Sequence, residues 1–326
     1  MKPTTFMVSL VVLLIIAVAL GLTHGSTSLE WGQVWEPQST AGRIFWQLRM
    51  PRVIVALGAG SALAVAGLVF QVLFMNRLAT PFTLGIATGA SFGASVSIWL
   101  AGVPGLFMTV TTPIGAFAGA GCSVALVWVF GRSRAGHERQ SMLLAGVAVS
   151  FFFSSLILFV QAISSYAQSF QIIRWLMGGI AVAGYRETSY LVPAAIVFLT
   201  MVMLHNRALD LLLTGEELAH ARGLHVQRTK QRLFLLTSAM VAIVVSVTGP
   251  IGFVGLVVPH MCRLVIGVRH RLLVPAVALA GGVLLVFCDL IARTAMSPAE
   301  LPVGVFTSMI GAPFFFILLL RQQMRH

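Results

Sequence analysis

The sequence predicts an all-α, polytopic membrane protein of ten transmembrane helices, and three observations carry that prediction. Hydrophobic residues make up 58% of the 326 positions, charged residues only 9%, and the mean hydropathy is +0.96. Soluble domains hold about 45–50% apolar and about 25% charged residues, so this chain is built for a different solvent. The apolar residues also fall into ten stretches, each near the roughly 20 residues that cross about 30 Å of hydrocarbon. Finally, eight of the thirty charged residues are gathered in the 28 positions from His205 to Arg232, with oily sequence on either side.

The ten stretches lie at 5–23, 53–75, 84–101, 106–130, 142–163, 189–205, 233–249, 251–267, 272–292 and 304–321. The first has the look of a secretory signal, with Lys2 ahead of an apolar core. Its apolar run is long for a cleaved peptide and nine spans follow, so it is kept as span one. An even number of spans places both termini on one face. With that face cytoplasmic, fifteen of the 21 basic residues lie inside and six outside, which fixes the orientation. The net charge of +12 is therefore a topological signal and not a nucleic-acid footprint. Cys122, Cys262 and Cys288 are scattered through apolar sequence with no CxxC pair, so neither a disulfide nor a zinc site is expected.

The cytoplasmic stretch carries a short helix with both ends written in sequence. Thr214, Gly215, Glu216 and Glu217 have the spacing of a capping box, in which Thr214 accepts from the Glu217 N–H and Glu217 reaches back. The two glutamates suit the positive end of the helix dipole and Arg222 the negative end. Gly223 can take the left-handed conformation that stops the helix. About two turns result, over 215–222, too short to be stable without packing against something. Such a segment is either a solvated loop or a docking element for another protein.

Small residues mark two further places. Gly85, Gly89 and Gly93, and then Gly115 and Gly119, have GxxxG spacing, which lets helix backbones approach closely inside a membrane. Gly249, Pro250, Gly252, Gly255 and Pro259 predict a broken or re-entrant helix, with His260 as a hydrogen-bonding brace. On the outer face, Arg49 and Arg52 flank Pro51, which suits a first helical position. Both arginines would then crowd the positive end of a dipole and defy the charge rule. An acidic partner from outside would relieve them, or they snorkel to lipid phosphates. Asp289 and Arg293 stand at i, i+4 near the outer end of span nine, either as an intrahelical pair or with Arg293 joined to the arginines of span two.

Some chemistries are excluded. Gly89-Ala90-Ser91-Phe92-Gly93 fits a nucleophile elbow, but that motif needs a preceding strand and a nearby His and acid, and here it lies in an apolar helix-packing run. The only lysines are Lys2 and Lys230 and no P-loop is present, so nucleotide hydrolysis would require a separate subunit. No catalytic, metal or cofactor residue is expected. An ion-coupled secondary transporter is the competing class, but it usually needs ionisable groups at mid-membrane, and the nine acids all fall in loops or near span ends.

Along almost its whole length the chain resembles a FecCD-family permease, the membrane subunit of binding-protein-dependent ABC importers for iron-siderophores, haem and cobalamin. The likeness runs through Arg49-Met50-Pro51-Arg52, Asn76-Arg77-Leu78-Ala79-Thr80-Pro81, Arg174-Trp175-Leu176-Met177-Gly178, Gly215-Glu216-Glu217, Gly249 to His260, and Asp289-x3-Arg293. It closes on Glu300-Leu301-Pro302-Val303-Gly304 and Gly311-Ala312-Pro313. The resemblance implies one transmembrane domain over 1–326 with inverted halves, spans 2–5 and 7–10. It implies a homodimer with two ABC ATPase subunits and a periplasmic or lipid-anchored substrate-binding protein. It also places cytoplasmic coupling helices at about 209–224, with Thr214, Gly215, Glu216, Glu217, Ala219, Arg222 and Gly223 facing the ATPase. Arg49, Arg52 and Arg293 match binding-protein docking positions. Asn76, Leu78, Gln140 and Ser141 match a cytoplasmic gate, although Arg77 replaces the family's proline. Residues 166–186 match a short helix at the outer mouth, equally readable as an interfacial helix anchored by Trp175.

Overall fold

The computed structural model describes residues 3–25, 27, 29–36, 38–102, 112–131, 138–182, 184–297 and 299–323. Among the basic residues read as cytoplasmic, Lys2, Arg132, Arg134 and Arg325 lie outside this set, as do the first residues, 106–111, of the fourth predicted span.

The described residues form helices and no strand. In chain order they are α1 (Pro3–Thr23), α2 (Thr40–Arg43), a π-helical turn (Ile44–Arg49), α3 (Met50–Leu73), α4 (Ile86–Ala101), α5 (Thr112–Gly131), α6 (Glu138–Ile163) and α7 (Tyr166–Leu176). There follow α8 (Arg186–Leu204), α9 (Asn206–Leu212), α10 (Glu216–Ala221), α11 (Val226–Thr248), α12 (Val254–Ile266), α13 (His270–Thr294) and α14 (Val303–Gln323). Each of the ten predicted stretches thus becomes one helix. Seven are long and apolar enough to cross a membrane, while α4, α12 and the apolar part of α14 are shorter than 18 residues. The chain is therefore an all-helical, multi-pass membrane protein.

The helices group into two compact units. The first comprises Met1–Val65, Gly179–Asn206 and Gly252–His326; the second comprises Ala66–Gly178 and Arg207–Ile251. The grouping does not follow the two predicted halves. The start of span two is counted with spans eight to ten, and span seven with spans three to five.

In the first unit, α3 and α13 cross at Gly60 and Gly281. A Cβ on Gly60 would run into the Gly281 carbonyl and stand 2.7 Å from the Leu285 Cβ, so only glycine permits the approach. Ser61 strengthens the crossing by donating its hydroxyl to the Ala278 carbonyl at 2.7 Å. In the second unit the GxxxG glycines do what their spacing predicts. Gly89 faces Gly119 and Gly93 faces Gly115, so α4 and α5 touch backbone to backbone. Gly85, at φ +74°, caps the start of α4, and its carbonyl accepts from the buried Ser123 hydroxyl at 2.7 Å.

The predicted start of span two is corrected. Pro51 is not a first helical residue, because the helix runs unbroken from Thr40 to Leu73. Its missing N–H is accommodated by the π-helical turn just before it, where Met50 donates back to Phe45. The Gln47 carbonyl, four residues before Pro51, accepts from the Gly184 N–H at 2.7 Å. Arg49 and Arg52 therefore sit inside a helix and do not crowd its positive end.

The predicted break at 249–253 is present. α11 ends where Gly249 takes φ +63°, and α12 begins after Phe253, a non-glycine residue at φ +65°. Pro259 is carried inside α12 without interrupting it.

Candidate functional site

Two clusters, one in each unit, hold the predicted coupling and docking residues. In the second unit, α9 is anchored by the buried Leu209 and Leu212, and the chain then turns through Thr214 and Gly215 into α10. Gly215, at φ +102°, occupies the N-cap position and supplies no side-chain bond. Thr214 stands one residue outside and donates its hydroxyl to the Leu211 carbonyl at 2.8 Å. The capping box does not form, because the positive φ that the entry demands is one glycine tolerates and threonine does not. The C-terminal end follows expectation. Gly223 is left-handed at φ +80°, its N–H bonds His220 at 2.9 Å and the Leu224 N–H bonds Ala219 at 3.1 Å, which together make a Schellman motif.

Of α10 itself only Ala219 is buried. Glu216, Glu217, Leu218 and His220 are exposed, as are Arg222 and Gly223 just beyond the helix. The helix is held by one small residue and offers everything else outward, including an apolar Leu218. Lys230, on the first turns of α11, pairs with Glu216 and ties the two helices together. Sequence reasoning missed this lysine, since the pair spans a turn and a change of helix and has no fixed spacing.

In the first unit, Arg49, Arg52 and Arg293 do converge, together with Asp289 and Glu300. Arg49 is buried and donates to the carbonyls of Leu22 at 3.0 Å, Thr23 at 2.7 Å and Thr27. Arg293, also buried, donates to Gly21 at 2.6 Å. The last carbonyls of α1, which no helical N–H can satisfy, are thus capped by two guanidinium groups at the negative end of its dipole. Arg52 lies between two acids, with Nε 2.9 Å from Asp289 and Nη1 2.9 Å from Glu300. Asp289 is enclosed and reaches Arg293 at 3.4 Å through its other oxygen.

Neither arginine of span two snorkels. Arg49 turns inward, and the Arg52–Glu300 pair forms the accessible edge of the cluster, its side chains 14% and 39% exposed. Three cations against two anions leave the cluster with a net positive charge. Glu300 was visible only as part of a motif; the ion pair it makes was not legible.

The gate candidates sit on two elements of the second unit. Asn76 closes a turn after α3, with its side-chain oxygen accepting from the Leu78 N–H at 2.9 Å, and Leu78 is exposed. Gln140 and Ser141 lie in the first turn of α6, not in a loop before it, and Gln140 is exposed. The outer-mouth segment forms α7, whose start is a true capping box between Ser165 and Gln168. Gln168 also donates to the Trp99 carbonyl at 3.0 Å. The elbow-like Ser91 is helical and bonds Ala87, as expected of a packing residue. His260 lies against the Phe314 ring at 5.9 Å.

The FecCD transport family model matches residues 13–321. The hemin transport system permease protein HmuU of Yersinia pestis is 37% identical over 324 residues, covering 97% of this chain and 96% of that protein. The vitamin B12 import system permease protein BtuC of Shigella boydii serotype 18 is 36% identical over 317 residues, covering 97% and 95%. A solved structure of an ABC transporter assigned to the metal-chelate type, in an inward-facing conformation, superposes with a TM-score of 0.85 at 29% identity, covering 98% of this chain and 99% of that one. With a family model spanning nearly all of its length and relatives this similar end to end, the chain belongs to the FecCD transport family.

Proposed function

We propose that this chain is the transmembrane permease subunit of an ATP-driven importer, and that it passes a metal chelate (ferric siderophore, haem or cobalamin) from a binding protein to the cytoplasm by alternating access. The observation that carries this is α10, a two-turn helix held by the buried Ala219, the Schellman turn and the Lys230 pair, with its acidic and apolar faces uncovered. Such a helix, in a chain without a P-loop, suits the seat of a separate ATPase. The names of the relatives, for hemin and for vitamin B12, support the substrate class.

In this proposal two copies of the chain pair, two ATPases bind at 209–224, and ten crossings leave both termini in the cytoplasm of the inner membrane. The docking group remains Arg49, Arg52 and Arg293. Arg52 meets the binding protein's acids in exchange with Glu300, and Arg49 and Arg293 hold it from beneath. Asn76, Leu78, Gln140 and Ser141 form the cytoplasmic gate. Among the described residues the buried acid is Asp289, and it is already bonded to Arg52, which disfavours ion coupling.

Replacing Glu217 and Arg222 with residues of opposite charge tests the coupling role. Uptake should vanish while the membrane dimer survives; uptake at the native rate would contradict it. The absorption spectrum of the cognate binding protein, purified with its ligand, separates haem, corrinoid and ferric siderophore.

A further inference from the structure

Half of the chain's six tryptophans, Trp31, Trp35 and Trp46, fall in the sixteen residues from 31 to 46. They are 51%, 76% and 36% exposed, yet they are not loose. The Trp35 and Trp46 rings lie 6.1 Å apart, Phe45 packs edge-on to Trp46 at 5.1 Å and Trp31 to Phe45 at 6.4 Å. The Trp46 indole N–H donates to the Val34 carbonyl at 3.2 Å. Beneath them Val34, Ala41 and Phe45 form a small core with Leu22, Leu29 and Met50. This is a built aromatic shelf whose outward faces none of the described residues covers.

Its depth follows from α1. That helix has 21 residues, and at 1.5 Å per residue it spans about 31 Å, close to the thickness of the hydrocarbon layer. Its C-terminal end therefore marks one hydrocarbon boundary. Arg49 donates to the Leu22 and Thr23 carbonyls and so stands at that level. The following helix, α3, must run back through the bilayer from there, so its N-terminal extension runs outward. By the same rise, Trp46 lies about 4–5 Å beyond the boundary and the exposed Arg43 about 8–9 Å, against an interfacial layer about 5–8 Å deep.

We propose that residues 31–36 and 38–48 form a lipid-binding collar, with Trp31, Trp35 and Trp46 seated among the phospholipid glycerols of one leaflet and Arg43 on a lipid phosphate. Amphipathic indole rings favour that layer, and a guanidinium above them adds an anionic contact. By the charge rule the leaflet is the outer one. The collar would steady the extramembranous end of α3, and with it the arginine cluster. It rests on the spanning of the membrane by α1 and α3 and not on the identity of the transported solute.

The test uses the full-length chain in phosphatidylcholine–phosphatidylglycerol vesicles, with Trp99, Trp128 and Trp175 changed to Phe and one collar tryptophan kept at a time. Lipids brominated near the carboxyl end of the acyl chain should remove most of the Trp35 and Trp46 emission. Lipids brominated near the methyl end, and aqueous iodide, should remove little. Efficient iodide quenching without bromolipid quenching would overturn the proposal, and so would silence toward both, which would mean that protein covers the rings. If the substituted background does not fold, the difference in quenching between the native chain and Trp35→Phe or Trp46→Phe gives the same decision. Arg43→Glu should weaken the shallow quenching of Trp46 in anionic vesicles, whereas an unchanged profile would remove Arg43 from the site.

Discussion

Arg49 and Arg293 were conspicuous in the sequence as charges at span ends, but what they bind was hidden there. Their partners, the carbonyls of Gly21, Leu22, Thr23 and Thr27, are backbone groups with no residue-type signature. Arg49→Met should therefore destabilise the purified subunit by about 1–3 kcal/mol, for carbonyls left without a donor, and lower its thermal unfolding midpoint. The loss should appear with no binding protein present. Asp289→Asn should cost more, about 3–5 kcal/mol, because it takes the facing carboxylate from the buried Arg293 and leaves Arg52 with Glu300 alone. Adding Arg293→Met to Asp289→Asn should recover part of that loss, since the stranded charge is gone; strict additivity in unfolding experiments would show that the two residues do not communicate.

Among the elements, the sequence was most informative where spacing alone determines packing. Gly89, Gly93, Gly115 and Gly119 could be paired from their fourfold repeat, and they do meet. Gly60 and Gly281 make an equally close crossing, but they lie on helices far apart in sequence and share no repeat, so no pattern announced them. Gly119→Ala should force α4 and α5 apart and cost about 1–3 kcal/mol, whereas Gly121→Ala, which meets nothing within 4 Å, should be neutral or stabilising by up to about 1 kcal/mol. Helix ends were less legible. The Thr214 capping box failed because Gly215 took its place, whereas the working box at Ser165 and Gln168 had not been singled out. Ser165→Ala should cost about 1 kcal/mol and Thr214→Ala at most a few tenths, measured by the same unfolding assay. An equal loss at both would mean that Thr214 does cap α10. Pro51 shows the same limit: its suitability for a helix start was plain, but the π-helical turn that absorbs it depends on Gly184, far along the chain.

For the molecule as a whole, composition and the ten apolar stretches established the class, and each stretch became a helix. The division into two units was not legible, because it follows which helices pack together and not their order in the chain. The sequence without a P-loop and the exposed face of α10 lead to one central claim: the conduit is passive and is driven from a second polypeptide. The most direct measurement is solute uptake into proteoliposomes holding this chain, supplied in turn with an ion gradient, and with the partner ATPase, ATP and the loaded binding protein. The account predicts uptake only in the second case, and uptake by the chain alone on an ion gradient would contradict it.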